Sequence, residues 1–379
     1  MQKAYFILLF YCTNAITAQN AFHNYGNVQI HDKGVIGFHT NLINDGMFNQ
    51  NLGFAGFFNI ISSLTVSGSQ IPRFFDFETN VKDHLFLEIN TEISNSLIYT
   101  NGEIFTPRNT PSISLDFLSD AVYVLENDIK HTDGYQSYQG EQPFSFSIGD
   151  DNKLRPLIIP FYTNITKYSA AYFNEDPNFP STFNQTFDTS KIENILQKVS
   201  TNEFWDFNGT SETQVTLTFN SQSNLIELVD HLQNLRVVGW NVVDKTWRDL
   251  GNFQFTGTIN SGSITSTPFI PNSYEVITFG TQIRNEEITV FNEISPNNDG
   301  TNDTFVIKGI HLFQNNLKIF NRWGHLVYKT INYQNDWNGI NNIGVFLNNH
   351  RKLPVGTYFF SLELLGENKQ YTGWIYLNY

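Results

Sequence analysis

The chain has 379 residues, of which 15% are charged and 15% are aromatic, and its formal net charge is −14. The length predicts two to four domains, and the apolar content is too high for a disordered chain. Nucleic acid is excluded as a partner because an acidic chain repels phosphate backbones, and the single cysteine, Cys12, excludes a disulfide framework and a cysteine zinc site.

Residues 1–18 contain, in order, the three parts of a secretory signal peptide: a charged start, an apolar run and a cleavage site. Lys3 precedes an apolar run at residues 4–12, and Ile-Thr-Ala at residues 16–18 is a suitable cleavage site. A buried N-terminal strand is the alternative interpretation. The run is too short to cross a bilayer, and no later segment has 18 uninterrupted apolar residues, so we expect no transmembrane segment in the mature chain.

Residues 19–190 are predicted to be β-rich, because short apolar runs alternate with turns such as Asn101-Gly102. Strands recur roughly every 20 residues, a spacing that permits a short β-solenoid. Strand and turn composition also fits an antiparallel sandwich, so both architectures stay open. The prolines and polar residues of 174–187 predict a loop or linker.

Residues 200–285 are predicted to form a small β-sandwich with a short helix. Leucine and valine recur at helical spacing over residues 224–235, and the capping-box pattern SKIE at 190–193 predicts another short helix just before this region. Trp240 and Trp247 flank a turn. We expect them to pack into a core, although exposed tryptophans on a strand could bind sugars.

Residues 286–379 contain six or seven predicted strands, the number found in an immunoglobulin-like β-sandwich. The fold class is therefore all-β throughout. Asparagine and aspartate are concentrated in the loop at residues 295–305 (SPNNDGTNDTF), and a hairpin follows at 317–330.

Five motifs in this region resemble, in order, those of the gliding-motility-associated C-terminal domain, the type B sorting domain of the Bacteroidetes type IX secretion system. The resemblance covers residues 288–379. The residues that carry it are Pro296, Asn297, Asp299, Gly300, Asn302, Asp303, Asn321, Arg322, Trp323, Gly324, Trp337, Gly339, Pro354, Gly356, Thr357, Tyr358 and Gly373.

The resemblance implies a route through the periplasm and export by the type IX secretion machinery, with its outer-membrane translocon and sortase as partners. The product would be secreted or held at the outer cell surface. This sequence departs from the family pattern at Asn298, where glycine is usual, in the long insert before Leu353, and in its last three residues, where a basic residue is common. Segments upstream, such as residues 146–157, resemble parts of flavobacterial surface proteins.

The loop at 295–305 also contains four candidate calcium ligands, Asn297, Asp299, Asn302 and Asp303. Hard oxygen donors around a glycine suit calcium, but the twelve-residue EF-hand spacing and its final glutamate are missing. The alternative is a turn in which these side chains accept hydrogen bonds from their own backbone. No other cofactor is predicted.

No catalytic motif is present, and no catalytic residue is assigned. The carboxylate pairs Asp150-Asp151, Glu175-Asp176 and Glu286-Glu287 are adjacent in sequence and are interpreted as solvated surface. His23, His31 and His39 recur eight residues apart and are interpreted as surface residues, although a solenoid could stack them.

The sequence therefore predicts a secreted, non-enzymatic surface protein with an adhesive or scaffolding role, and a glycan or surface component as its partner. A secreted polysaccharide-active enzyme and a carbohydrate-binding protein are the alternatives. Converging carboxylates in a cleft would favour the enzyme, and a row of exposed tryptophan or tyrosine would favour sugar binding.

Overall fold

The computed structural model describes residues 21–282, 288–343, 351–365 and 369–379. The predicted signal peptide at 1–18 lies outside the described residues. The described chain falls into two compact units, one within residues 1–283 and one within residues 284–379. Both units are all-β, as predicted. None of the helices in these ranges has the length and apolarity needed to cross a membrane.

Residues 21–150 of the larger unit form thirteen strands, and all except the twelfth pair in parallel with another strand. Their bounds are β1 Ala21–Asn24, β2 Val35–Phe38, β3 Asn41–Asn44, β4 Phe54–Asn59, β5 Leu64–Gly68, β6 Arg73–Leu87, β7 Thr91–Phe105, β8 Leu115–Leu118, β9 Val122–Val124, β10 Thr132–Asp133, β11 Gln136–Gly140, β12 Phe144–Phe146 and β13 Ile148–Asp150. Parallel pairs such as β1–β3, β3–β5 and β2–β4 show that successive coils lie on one another. The solenoid interpretation of this region is confirmed.

The coils stack because each one places similar side chains at matching positions. Leu42 is in register with Val66, and Val66 is in register with Leu87, so one buried aliphatic column runs through three coils. A second column is aromatic, with the Phe38 and Phe57 rings stacked at 4.8 Å. Parallel strands in a solenoid bury one face, and these columns fill it.

Buried asparagines connect the coils at their corners. Asn24 Nδ2 donates a hydrogen bond of 2.8 Å to Asn44 Oδ1, and Asn44 Nδ2 donates one of 2.8 Å to the Gln70 carbonyl oxygen. Asn51 accepts from the Ile30 N–H and donates to the Arg73 carbonyl oxygen, at 2.7 and 2.6 Å. These side chains therefore hydrogen-bond backbone groups that the turns leave unpaired. A buried backbone group without such a partner would lower the stability of the fold.

The second half of the larger unit is antiparallel and continues the same core. Its strands are β14 Lys153–Leu154, β15 Leu157–Ile159, β16 Thr166–Phe173, β17 Leu196–Val199, β18 Phe204–Gly209, β19 Thr216–Asn220, β20 Leu235–Asn241, β21 Trp247–Asp249, β22 Gln254–Thr258, β23 Ser261–Thr265 and β24 Tyr274–Gln282. Strand β11 pairs in parallel with β8 and antiparallel with β16, so it joins the two halves of the unit in one sheet.

A second sheet, with strand order β12-β15-β19-β23-β22, packs on one face of the antiparallel part. Phe146 meets Phe207 and Phe219 meets Phe279 across this interface. On the opposite face Trp240 and Trp247 are buried with ring centroids 5.7 Å apart, so the core interpretation of both tryptophans is confirmed. The loop at 174–191 covers this face, and its Phe187 is fully buried.

The predictions of two short helices, at residues 190–193 and 224–235, were wrong. Residues 190–193 form a turn, because the Glu193 N–H donates to the Trp247 carbonyl oxygen and the Glu193 carboxylate accepts from the Asp249 N–H rather than capping a helix. Residues 224–235 contain two 3₁₀ helices, Leu225–Glu227 and Leu232–Asn234, instead of one longer helix. Asn224 has a φ of 50°, which ends the preceding 3₁₀ helix, Ser221–Ser223.

The helical spacing at 224–235 nevertheless marked buried residues. Leu225, Val229, Leu232 and Leu235 all pack into the main core. The last 3₁₀ helix of this unit is Pro271–Ser273.

The smaller unit contains a two-stranded and a five-stranded sheet. Its strands are β25 Thr289–Val290, β26 Glu293–Ile294, β27 Ile307–Lys308, β28 Asn315–Phe320, β29 Leu326–Ile331, β30 Gly356–Leu364 and β31 Lys369–Leu377, with one 3₁₀ helix at Ile310–Leu312. The larger sheet has the order β26-β31-β30-β28-β29, in which β26 pairs in parallel with β31 and the other pairs are antiparallel. A separate buried core lies on one face of it.

We expect Phe57→Ala to destabilise the larger unit by about 3–5 kcal/mol, because it removes a fully buried ring that contacts Phe38, Phe74 and Phe77. Phe179→Ala is the matched control, since Phe179 is 80% exposed and its loss should change stability by less than about 0.5 kcal/mol. Urea unfolding followed by circular dichroism measures both. Equal unfolding midpoints for the two variants would contradict the stacked aromatic column.

Candidate functional site

The motif residue Trp337 lies at the centre of the smaller unit. Its side chain is buried, its Nε1–H donates a 3.0 Å hydrogen bond to the Ile340 carbonyl oxygen, and its backbone oxygen accepts from the Phe305 N–H at 2.8 Å. Tyr333 donates its hydroxyl proton to the Phe305 carbonyl oxygen at 2.6 Å and accepts from the Trp337 N–H at 3.1 Å. Burial raises the pKa of Tyr333, so the hydroxyl remains a donor. These bonds hold the end of the asparagine-rich loop on the core.

The loop at 295–305 is built from Asx turns. Asn297 Oδ1 accepts from the Asp299 N–H at 3.0 Å, and Asp299 Oδ1 accepts from the Thr301 N–H at 2.8 Å. The two oxygens of Asp303 accept from the N–H groups of Asn298 and Gly300 at 2.8 and 2.9 Å. The Thr301 N–H and, to a smaller extent, the Asn297 side-chain amide donate to the Asp299 carboxylate and lower its pKa. This is the hydrogen-bonding pattern expected of a turn whose Asn and Asp side chains accept from their own backbone.

The departure from the family pattern at Asn298 is accommodated within this loop. Asn298 has a φ of 64° and Asn302 one of 56°, both in the left-handed region. Asparagine enters this region more readily than other residues with a Cβ, so the backbone can follow the path that glycine would allow.

Calcium and a plain turn stay the two alternatives for this loop, and we predict the turn. Three of the four proposed ligands already use side-chain oxygens on backbone N–H groups, and the described residues contain no cluster of three or more His, Cys, Asp or Glu side chains that could hold a metal. We expect isothermal titration of residues 286–379 with millimolar calcium to give no binding heat. Heat that disappears in Asp303→Asn would establish a calcium site.

The motif at 321–324 forms the turn between β28 and β29. Asn321 Oδ1 accepts from the N–H groups of Trp323 and His325 at 3.1 and 3.0 Å, and Gly324 takes a φ of 81° that side chains with a Cβ rarely adopt. The Arg322 guanidinium lies 4.2 Å from the centre of the Trp323 ring. Because Trp323 is 68% exposed, this cation–π pair is presented to solvent.

This turn lies beside a second motif, at residues 353–358, although more than thirty positions separate them. Together they line a cavity of about 330 Å³, whose walls include Asn321, Arg322, Trp323, Pro354, Gly356, Thr357 and Tyr358. The Tyr358 ring is buried, and its hydroxyl donates a 2.8 Å hydrogen bond to the Pro354 carbonyl oxygen. We call this cavity the motif groove.

The remaining motif residues lie elsewhere in the unit. Residues 296–303 form the loop already described, and Gly339 lies beside Leu377 and Tyr379. Gly373 is opposite Phe360, where an added Cβ would come within 2.6 Å of the ring. The structure thus brings seven of the motif residues into the groove and uses Trp337, Gly339 and Gly373 for packing.

Sequence reasoning missed the residues that support these motifs. Asn315 is buried, donates to the Phe313 carbonyl oxygen at 3.0 Å and accepts from the Tyr333 N–H at 3.0 Å. Asn335 Oδ1 accepts from the Ile307 N–H at 2.9 Å. The frequency of asparagine before strands was the available signal, but composition does not say which amide is buried.

A buried group of titratable side chains in the solenoid was also missed. Glu103 stands between His84 and His131 from neighbouring coils, with Glu103 Oε2 3.3 Å from His84 Nδ1 and Glu103 Oε1 3.5 Å from His131 Nε2. His131 Nδ1 lies 3.2 Å from the Asn127 carbonyl oxygen, which can only accept, so Nδ1 carries the proton. His131 Nε2 is then an acceptor facing the carboxyl group.

Burial and the nearby Asp133 and Asp150 raise the pKa of Glu103 to about 7, while burial lowers the pKa of His131 to about 4. A protonated Glu103 can donate to His131 Nε2, whereas an ionised one would place two lone pairs against each other. Arg108 partly offsets the neighbouring acids, because it donates to Asp133 at 2.7 and 3.0 Å and lies 3.6 Å from Asp150.

The predicted carboxylate pairs and histidines lie in varied surroundings. Asp150 is half-buried, with its pKa raised by burial, so the solvated interpretation is wrong for this residue. Glu175 and Asp176 accept hydrogen bonds within their own loop, and Glu286-Glu287 lies outside the described residues. His23 pairs with Asp45 at 2.6 Å, while His31 and His39 are exposed, so the three histidines do not stack.

The contributions of Glu103 and His131 to stability should change in opposite directions with pH. The raised pKa of Glu103 contributes stability that is complete below pH 4.5 and is lost as pH rises through about 7, a change on the order of 2 kcal/mol. The lowered pKa of His131 has the opposite sign, with stability lost as pH falls from 6.5 towards 4. Glu103→Gln keeps a donor towards His131, so we expect it to abolish the loss at rising pH alone.

Urea unfolding of the full chain between pH 4 and 8 measures this effect. Glu88→Gln, at an exposed position next to the same column of strands, is the control and should leave the profile unchanged. A Glu103→Gln profile identical to that of the wild type between pH 5 and 8 would contradict the raised pKa of Glu103.

Comparison with known proteins identifies the smaller unit. The family model described as the CHU_C Type IX secretion signal domain matches residues 288–377, which include the loop, the motif groove and the final hairpin. No curated protein and no solved structure matches the sequence. Residues 288–377 are therefore a type IX secretion signal domain, and the protein that carries it is exported to the cell surface or secreted by that pathway.

Proposed function

We propose that, after export, residues 21–282 act as an adhesive or scaffolding surface and not as an enzyme. The observation that carries this proposal is the continuous core that joins stacked coils to an antiparallel sandwich. Such a unit is long and stiff, because each coil is fixed by its neighbours and the last coil is fixed by a sheet. Stacked coils present an extended face, which suits contact with a surface or a matrix.

Two buried acids of this unit, Glu203 and Asp206, support a non-catalytic role, because they are engaged in holding the fold. Glu203 accepts from Arg155 at 3.1 Å and from the Tyr172 hydroxyl at 2.6 Å. Asp206 accepts from the Tyr135 hydroxyl at 2.6 Å. Both carboxylates are buried and tied to the fold by these bonds, so they are poorly placed to act as general bases on a substrate.

Two cavities among the described residues of this unit do not favour a glycosidase. The one beside β9 and β12 has a volume of about 450 Å³ and is lined by Tyr123, Tyr138 and Phe144, with Asp120 as its carboxylate. Another of about 450 Å³ beside β6 and β7 has Glu88 alone. Glycoside hydrolysis by the usual route needs two carboxylates at a defined separation.

Exposed apolar side chains at the coil turns supply candidate contact points. Ile60 and Ile61 are 78% and 80% exposed at the end of β4, and Val35 is 75% exposed on β2. Exposed apolar groups that cluster on one element often mark an interaction surface. We therefore place the adhesive contact at the coil turns of the solenoid.

We expect deletion of residues 288–379 to leave the protein inside the producing cell and to abolish attachment of the cells. Fractionation into periplasm, surface and medium measures the first effect, and retention of cells in a flow chamber measures the second. Export of the truncated chain at the wild-type level would contradict the role of the signal domain.

The double variant Ile60→Ser and Ile61→Ser tests adhesion separately from export. It should reach the surface normally and reduce attachment several-fold, while Ile226→Ser, at a 68% exposed position away from the coil turns, should change neither. Full attachment by the double variant would contradict the proposed contact.

A further inference from the structure

The solvent side of the five-stranded sheet in residues 288–379 carries an aromatic row. Strand register places Leu326 beside Phe320, Phe320 beside Phe359, and Phe359 beside Trp374. Phe359 and Trp374 are 47% and 46% exposed, and the neighbouring Tyr376 is 42% exposed. Side chains on the opposite face, such as Ile319 and Phe360, already fill the core. The fold does not need large rings on the outer face, where water is the solvent.

The next row on the same face carries two lysines. Lys318 is in register with Lys329, and Ser361 and Thr372 continue the row across β30 and β31. Both lysines are exposed. Like charges directly opposite each other on antiparallel strands destabilise a sheet, so this pair has an unfavourable effect on folding. An anionic partner would offset that repulsion.

The aromatic row ends in a cavity with polar walls. Trp374 lines a space of about 360 Å³ together with Val290, Phe291, Asn292, Glu293 and Asn302. Phe291 is itself 49% exposed. Amide and carboxylate groups beside two exposed rings can hydrogen-bond the hydroxyl groups of a ligand whose apolar face lies on the rings.

The signal domain and the rest of the chain differ in net charge. Residues 284–379 contain eight lysine and arginine residues and eight aspartate and glutamate residues, so the net charge of −14 belongs to residues 1–283. Polyanions are repelled by a strongly acidic chain but not by a neutral domain with a lysine pair. An anionic ligand would therefore bind to this domain in preference to the larger unit.

We propose that this outer face binds an acidic polysaccharide. The rings of Phe359 and Trp374 would stack on the apolar faces of successive sugars, the lysine pair would bind their carboxylates, and the amides of Asn292 and Asn302 in the end cavity would donate to sugar hydroxyl groups. A protein partner fits less well, because lysine, which is depleted at the centres of protein interfaces, lies directly beside the aromatic row. The site is distinct from the motif groove, which it does not share residues with.

The test uses the full-length protein and two probes, polygalacturonate and the neutral polysaccharide dextran. Affinity gel electrophoresis and isothermal titration should show binding to polygalacturonate and much weaker binding to dextran. Binding should weaken as salt concentration rises, because the charged part of the contact is screened. Equal affinity for both polymers, or binding to neither, would overturn the proposal.

Variants locate the site. Trp374→Ala and Phe359→Ala should each weaken polygalacturonate binding about ten- to thirtyfold, the usual loss for an aromatic anchor. Lys318→Glu with Lys329→Glu should remove the preference for the acidic polymer. Trp323→Ala is the matched control, since Trp323 is an exposed tryptophan of the same domain that lines the motif groove and not the end cavity, and it should bind like wild type.

Thermal unfolding shows whether each variant is folded, and Phe359→Leu, which keeps an apolar side chain, should lose less affinity than Phe359→Ala. Wild-type affinity in both Trp374→Ala and Phe359→Ala, or an equal loss in Trp323→Ala, would refute a site on this face.

Discussion

In-register parallel stacking of the coils is the constraint on which the larger unit depends. Leu42, Val66 and Leu87 form one column, and the Asn24–Asn44 amide pair forms another at the corner. A slip of one residue in any coil would turn its apolar side chains to solvent and remove the amide partner at once. The columns therefore select one register, and that register fixes the positions of Glu103 and His131 in neighbouring coils.

The end of the solenoid creates a second requirement, because an uncovered last coil would expose its edge and its core. Strand β11 meets this requirement by pairing in parallel with β8 on one side and antiparallel with β16 on the other. The antiparallel strands then close the core with the second sheet, through contacts such as Phe146 with Phe207. Covered edges of this kind are how natural sheets avoid unwanted pairing.

The signal domain uses a different principle, in which short polar side chains shape the loops and one aromatic cluster holds them. Asp303 organises the opening loop through two backbone N–H groups, while Tyr333 and Trp337 fix the residue that follows it, Phe305. Side chains on the outer face of the same sheet neither shape these loops nor pack into the core. That division allows Phe359 and Trp374 to serve a ligand without weakening the core.

Much of the fold class and domain organisation could be predicted from the sequence, because these features depend on local patterns. The strand and turn signals identified an all-β chain, the spacing of strands allowed a solenoid, and five ordered motifs identified the signal domain. The helix predictions failed where tertiary pairing overrode local preference. Glu193 bonds to the backbone of β21 and not to a helix start, and Asn224 breaks the 224–235 segment with a left-handed backbone.

The sequence by itself determined the export domain and the acidic character of residues 1–283, and it favoured burial of Trp240 and Trp247 without deciding it. Only the tertiary structure decided which distant residues meet. Strand register joins Phe320 to Phe359 and Trp374, the turn at 321–324 meets residues 353–358 in the motif groove, and coil stacking sets Glu103 beside His131. The reason is that these contacts depend on the pairing of strands far apart in the chain, and pairing is decided by the whole core and not by any one segment.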